Sequence, residues 1–232
     1  VLSSDLQQKA NMIRLSYTIS QNTPAYGNKD KIFIRDNSSI LKGETANTSC
    51  WIFSNNHIGT HIDSAFHFCQ TGKKTYELPV EDFYYKKVSL IDIPCGQAKL
   101  ISIPDIETSS DIDPEVELLL IRTGFEGYRD TDKYWNDNPG LAPELADYLR
   151  LKFPKLRCVG FDFISLTSWQ FRPQGRESHK QFLCPGDDKV SILVIEDMAL
   201  AAVNRKLNWV IVAPLFVEDG NGGAVTVFAE FA

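Results

Sequence analysis

The chain has 232 residues, 43% hydrophobic and 23% charged, with a formal net charge of −6. These proportions are those of an ordinary folded domain and exclude disorder and low-complexity structure for the bulk of the chain. The acidic balance argues against a nucleic-acid partner, which needs a basic surface.

At roughly 100–200 residues per domain, residues 1–232 read as a single domain. The longest apolar runs, 118–121 and 209–213, are too short to span a bilayer, so no membrane contact is expected. Residues 1–9 hold no basic stretch followed by an apolar one, and the expectation is a cytoplasmic protein without a targeting signal. Cys50, Cys69, Cys95, Cys158 and Cys184 are odd in number and show no C-x-x-C spacing. That pattern predicts neither a disulfide framework nor a cysteine-based zinc module, and it fits a reducing compartment.

In chain order, residues 4–11 predict the start of a weakly amphipathic helix and 20–30 a long loop rich in turn formers. Runs of β-branched and aromatic residues predict strands at 31–35, 47–55, 88–93 and 117–122. A second long loop covers 125–140. A helix over 142–150 follows, with Pro143 in its first turn and Pro154 limiting its far end. Strands at 158–163 and 191–195 precede a short helix at 197–204. Two last strands, 209–214 and 224–231, are joined by the Gly-rich hairpin loop 218–223. Strands dominate, so the fold class is mixed α/β, one domain around a single sheet core.

Three of the four histidines, His57, His61 and His67, fall within eleven residues, together with Asp63. In an extended segment, positions 57, 59, 61 and 63 share one face. Two imidazoles and a carboxylate would then line up, with Gly59 leaving room for an ion. This N/O donor set suits Zn²⁺, Mn²⁺ or Fe²⁺. Taken alone, His179 reads as structural, and Glu196, at the end of the run 192–195, as a helix cap or rim charge. H-E-x-x-H, G-x-S-x-G and P-loop signatures are absent, and 220–223 does not complete G-x-G-x-x-G. Serine-nucleophile and nucleotide-binding functions therefore have no support. Cys69, two residues after His67, is the candidate covalent nucleophile.

The window from His57 through Gly59, Thr60, His61, Asp63 and His67 to Phe68 resembles the H-x-G-T-H-x-D-x-P-x-H-F signature of the metal-dependent cyclase family. That family includes kynurenine formamidase and isatin hydrolase. Ala65 stands where the signature has proline. Weaker likenesses follow in family order at 15–20, 119–124, 139–144, 159–162, 179–183 and 195–196. The resemblance implies a swivelling β/β/α fold around a mixed sheet and a homodimer or higher assembly. It implies that His57, His61 and Asp63 hold one divalent ion, zinc or manganese. Asp63 would bridge to a second ion held with His179 and Glu196, giving one or two ions per chain. An apparent insertion at 184–189 leaves Asp197 as the neighbouring alternative to Glu196. His67 matches the proton-transfer residue. Tyr26 stands at or near the family's substrate-stacking tryptophan, and Trp51, Trp135 and Trp169 are further candidates to hold an aromatic substrate. Asp162 and Ser165 are expected to hydrogen-bond around the site or to cap a helix.

The implied activity is hydrolysis of an amide bond in a small molecule, an aryl formamide or a cyclic amide. A cyclase or dehydratase on another carbonyl substrate, and a non-catalytic metal-bearing binding protein, are the alternatives.

Overall fold

The structure, a computed structural model, describes residues 11–108, 112–186 and 189–232. Its strands are β1 (Met12–Arg14), β2 (Ile32–Ser38), β3 (Thr48–Phe53), β4 (His61–Asp63), β5 (Tyr84–Tyr85), β6 (Val88–Asp92), β7 (Leu100–Ile101), β8 (Leu118–Arg122), β9 (Gly140–Leu141), β10 (Cys158–Phe161), β11 (Leu193–Glu196), β12 (Leu207–Pro214) and β13 (Gly222–Phe231). Its helices are α1 (Ile103–Glu107), α2 (Lys133–Asn136), α3 (Leu145–Lys152) and α4 (Arg172–Leu183), with short 3-10 turns between elements.

A mixed sheet runs β5-β12-β13-β4-β11-β10-β8-β6, with β1 added against β13. From β6 to β11 the pairing is parallel. At β4 it becomes antiparallel and stays so through β13, β12 and β5. The sheet curls nearly closed, since β6 at one end packs on β12 near the other. Strand β8 shows why its sequence is uniformly apolar. Leu119 and Ile121 join the core beneath the helices, while Leu118 and Leu120 join a second core shared with β12 and β13. A strand buried on both faces has no polar side to present.

All eight strands expected from local composition are present, as is the helix after Pro143. The expected helix at 4–11 lies outside the described residues except for Asn11. The expected helix at 197–204 does not form. Asp197 has φ +54°, and the next backbone N–H groups are taken elsewhere: Met198 donates to Phe161 O, Ala199 to Leu15 O and Leu200 to the Glu126 carboxylate. Helix α4 was not expected. Its buried face is Gly175, Ser178, His179, Phe182 and Leu183, which has helical spacing but is small or polar at three of the five positions.

Cys69 and Cys184 form a disulfide across 115 positions, with Cα atoms 5.1 Å apart. This corrects the expectation of no disulfide, since long-range pairing leaves no local spacing to read. The bond also removes Cys69 as a free nucleophile. Cys95 and Cys158 are buried free thiols, as expected of small hydrophobes, and Cys50 is half-buried.

Candidate metal centre

The histidine window is not one continuous strand. Gly59 has φ +71°, and a Cβ there would sit 3.0 Å from Thr23 Cγ2. The glycine serves a turn and a close chain approach, and does not merely leave room for an ion. Strand β4 starts only at His61, and its alternation puts His61 and Asp63 on one face. His57 reaches them from the preceding loop, with Nδ1 2.7 Å from Asp63 Oδ1.

Register supplies the fourth group. Glu196 lies directly opposite His61 across the β11–β4 ladder. Its Oε1 accepts hydrogen bonds from the Leu166 N–H at 2.7 Å and from the Ser165 hydroxyl at 3.3 Å. Oε2 lies 3.3 Å from His61 Nε2. The neighbouring Asp197 faces away. It pairs with the Arg129 guanidinium through both oxygens and accepts from the Tyr134 hydroxyl. Helix α4 brings the fifth group: His179 Nε2 lies 3.6 Å from Asp63 Oδ2 and 3.5 Å from Glu196 Oε1. His67, from the 3-10 turn Ala65–His67, stacks on His57 with ring centres 3.9 Å apart. That turn closes through the backbone even though Ala65 stands in for a proline, with the His67 N–H donating to Ser64 O.

Imidazole tautomers are set from behind. The Gly59 carbonyl lies 2.7 Å from His61 Nδ1, and the Gly175 carbonyl 3.0 Å from His179 Nδ1. Each Nδ1–H donates there, which turns the Nε2 atoms toward the carboxylates. Asn56 donates from one amide nitrogen to Gly222 O and to Asn221 Oδ1, so Asn221 Oδ1 is an acceptor and His57 Nε2 donates to it at 2.9 Å. His57 Nδ1 then faces Asp63 Oδ1 at 2.7 Å, a gap that holds a proton or a cation.

Two further atoms make the same demand. His61 Nε2 and Asp63 Oδ2 are buried and have no hydrogen-bond partner among the described residues. Nε2 is near both carboxylates but without the alignment of a hydrogen bond. Buried polar atoms left unpaired are costly. Here they converge within two groups of ligand atoms, His57–Asp63–His67 and His61–Asp63–Glu196, which share Asp63. The donor set and these orphaned atoms fit a divalent cation.

The charges are mutually dependent. Burial pulls the His61 imidazole down, but Glu196 and Asp63 more than reverse this and raise it to about 9. His179, likewise opposed by burial, is raised to about 10 by the same carboxylates. Burial raises Glu196, and Asp63 adds to that, yet His179 and His61 bring it down to about 2. Asp63 is held well below the usual range against its burial, chiefly by His57 and His179. His67 behaves differently. Burial, aided by His57 and His179 and opposed by Asp63, pushes it down to about 4, leaving it neutral at pH 7.

The cluster opens into a cleft of about 260 Å³. Tyr26, Phe68, Arg172 and Arg176 line it. A larger groove of about 820 Å³, lined by Lys86, Arg122 and Lys206 among others, contains none of the histidines, so the chemistry belongs to the smaller cleft. Tyr26 packs edge-on against Trp169, which meets Trp135 in turn. Trp51 is 68% exposed on the β2–β3 arm and does not line the cleft. Ser165 hydrogen-bonds at the site as expected, whereas Asp162 accepts from the Thr123 and Gly124 N–H groups and has a structural role. Sequence reasoning missed Thr167, which backs His179, together with Asn221, Arg172 and Arg176. Only an expected helix over 172–183 would have put the two arginines on the face of His179.

Residues 13–167 match the family model described as Cyclase. Kynurenine formamidase of Bacillus cereus (strain ATCC 10987 / NRS 248) is 30% identical over 169 residues, 73% of each chain. Among solved structures, isatin hydrolase A from Labrenzia aggregata superposes with a TM-score of 0.78 at 19% identity, covering 95% of this chain and 94% of its own. A predicted metal-dependent hydrolase from Bacillus stearothermophilus superposes with a TM-score of 0.72 at 23% identity, covering 94% and 97%. These likenesses bear out the mixed α/β fold, and the chain belongs to the Cyclase family.

Proposed function

We propose that this chain is a metal-dependent hydrolase of a non-peptide C–N bond in a small molecule, an aryl formamide or a cyclic amide. The observation that carries the reading is the convergence of the orphaned His61 Nε2 and Asp63 Oδ2 beneath an open cleft. Membership of the Cyclase family and the likeness to a kynurenine formamidase support it.

His57, His61, Asp63, His179 and Glu196 would hold the metal. A divalent ion bound there supplies a Lewis acid and lowers the pKa of a water from 15.7 toward about 7. His67, neutral at pH 7, accepts a proton on an unprotonated ring nitrogen and returns it to the leaving nitrogen. Tyr26 and Phe68 give the cleft aromatic faces against which an aryl ring stacks. The donor set serves zinc or manganese, and elemental analysis decides between them.

A homodimer is part of the proposal. Among the described residues the β2–β3 arm pairs only with itself, and it exposes Phe33, Leu41, Trp51 and Ile52, Leu41 at 98%. A lone two-stranded hairpin is marginal in water, and a second copy would cover this one. Sedimentation at equilibrium tests it. Among the described residues no helix is long and apolar enough to cross a membrane. The expected cytoplasmic location rests in part on unpaired cysteines. The Cys69–Cys184 bond speaks for an oxidising compartment, and alkylation of the thiols at lysis decides.

The test of function is metal content and turnover of N-formylkynurenine and isatin by wild type, Asp63→Asn and His67→Ala. Wild type is expected to carry one to two ions per chain and to hydrolyse one of the two. Asp63→Asn loses the metal, and His67→Ala keeps it while losing turnover. Wild-type protein that takes up neither zinc nor manganese refutes the reading. The family's name favours one second reading, a cyclase using the same residues, and turnover of cyclisable substrates in place of amides would establish it.

A further inference from the structure

Arg172 and Arg176 sit four residues apart on α4 and so share one helix face. Both line the cleft. By the 1.5 Å rise of a helix they lie roughly 10 Å and 4.5 Å along the axis from His179. The Arg172 guanidinium lies 4.7 Å over the Trp169 ring, the ring that also packs on Tyr26. The nearby acids are spoken for. Asp30 accepts from Ser54 and Asn55, Glu177 from Gln181, and Asp63 and Glu196 face the histidines. Neither arginine has a carboxylate partner among the described residues. On a chain of net charge −6, these are two guanidinium groups without such a partner at one cleft, which Asp30 also lines. Beside them, the Tyr26 hydroxyl is buried without a hydrogen-bond partner among the described residues.

We propose that Arg172 and Arg176 select a substrate bearing a carboxylate remote from the bond that is cleaved, with the Tyr26 hydroxyl as a third donor. A guanidinium pair matches the planar, two-oxygen geometry of a carboxylate, and two donors on successive turns hold it away from the metal ligands. The substrate class narrows from any aryl formamide or cyclic amide to one with an acidic substituent. This rests on the hydrolase reading above.

The experiment compares 3-formamidobenzoate with its neutral isostere 3-formamidobenzamide. Wild type should favour the acid at least ten-fold in kcat/KM at low salt, mostly through KM, and the preference should shrink in 0.5 M salt. In Arg172→Gln/Arg176→Gln the ratio falls toward one, whereas Arg172→Lys/Arg176→Lys keeps part of it. A wild-type ratio near one, or a ratio unchanged in the double glutamine variant, overturns the proposal. If neither compound is hydrolysed, the hydrolase reading is decided by N-formylkynurenine and isatin as above, apart from the arginines. Calorimetric binding of the same pair then tests the arginines: a preference for the acid that disappears in the glutamine variant supports them, and one that persists belongs to the metal residues and refutes them.

Discussion

Gly175→Ala sets helix propensity against packing. Alanine is favoured over glycine inside a helix by about 0.8–1.0 kcal/mol, so propensity alone predicts a more stable protein. The structure predicts the reverse. A Cβ on Gly175 would lie 2.5 Å from both Cγ2 and Oγ1 of Thr167 and 2.6 Å from its Cα. Side-chain atoms can rotate away, but the Cα cannot. Ordinary carbon contact begins near ~3.5 Å, so α4 must retreat by about 0.9 Å. Overpacking of this kind costs about 1–3 kcal/mol, which leaves up to about 2 kcal/mol of net destabilisation after the propensity gain. Function should be hit harder. His179 lies one turn further along α4, its Nδ1 3.0 Å from Gly175 O and 3.1 Å from Thr167 Oγ1, so it moves with the helix. Ligand distances tolerate only about 0.2 Å, and the metal affinity is expected to fall by at least about ten-fold. The assay is competition with a chromophoric chelator, alongside calorimetric melting of metal-free protein. Wild-type affinity with a melting temperature at or above wild type would refute the argument.

Metal loading at pH 7 is expected to release about two protons. His61 and His179, raised to about 9 and about 10, are protonated there, and an ion needs both Nε2 atoms free. Both values exceed the ordinary 6.5, so the stabilisation these groups give metal-free protein is complete below pH 6.5 and is lost through pH 9–10. Apparent metal affinity therefore rises with pH across that range, and calorimetry in buffers of different ionisation enthalpy that finds no proton release would contradict this. Replacing Cys69 and Cys184 with serine opens a loop of 115 positions, for which chain entropy gives about 4.8 kcal/mol at 25 °C. Denaturant melts of oxidised wild type and the double variant should differ by about 2–5 kcal/mol, and unfolded wild type should titrate three thiols, Cys50, Cys95 and Cys158; equal midpoints would count against the bond. Arg129→Met strands the buried Asp197 carboxylate with Tyr134 alone and should cost about 3–5 kcal/mol in urea unfolding, with a loss under about 1 kcal/mol as the refuting result.

What was legible in the sequence is what local chemistry controls. The eight main strands are dense in β-branched and aromatic residues, and the two-faced burial of β8 shows directly as Leu118 to Ile121. The ligand candidates were legible because three histidines and an aspartate rarely crowd so closely without cause. The rest depended on tertiary partners. The segment at 197–204 has an apolar helical face, but its backbone donors find better acceptors on β10, near β1 and on Glu126. Helix α4 is written in small and polar residues because it packs tightly on Thr167 and carries His179 inward. The choice between Glu196 and Asp197 was open in sequence, since adjacent residues on a strand point to opposite faces and only register says which one meets His61.

That dependence on register explains why three residues of β4 suffice to organise the centre. The strand lies where parallel pairing gives way to antiparallel, so both neighbours run opposite to it. On one side Glu196 falls opposite His61. On the other, Gly222 falls opposite Asp63, and a Cβ there would strike Ile62 O at 2.6 Å and His57 Cε1 at 2.7 Å. The glycine leaves the volume into which His57 folds back onto Asp63. A slip of one residue on the β11 side would replace Glu196 before His61 by Ile195 or by Asp197, and on the β13 side a slip that brings Asn221 opposite Asp63 would displace the glycine that His57 requires. The buried acid on one neighbour and the missing side chain on the other are thus two halves of one constraint, and each makes sense of the other only when β4 sits between them.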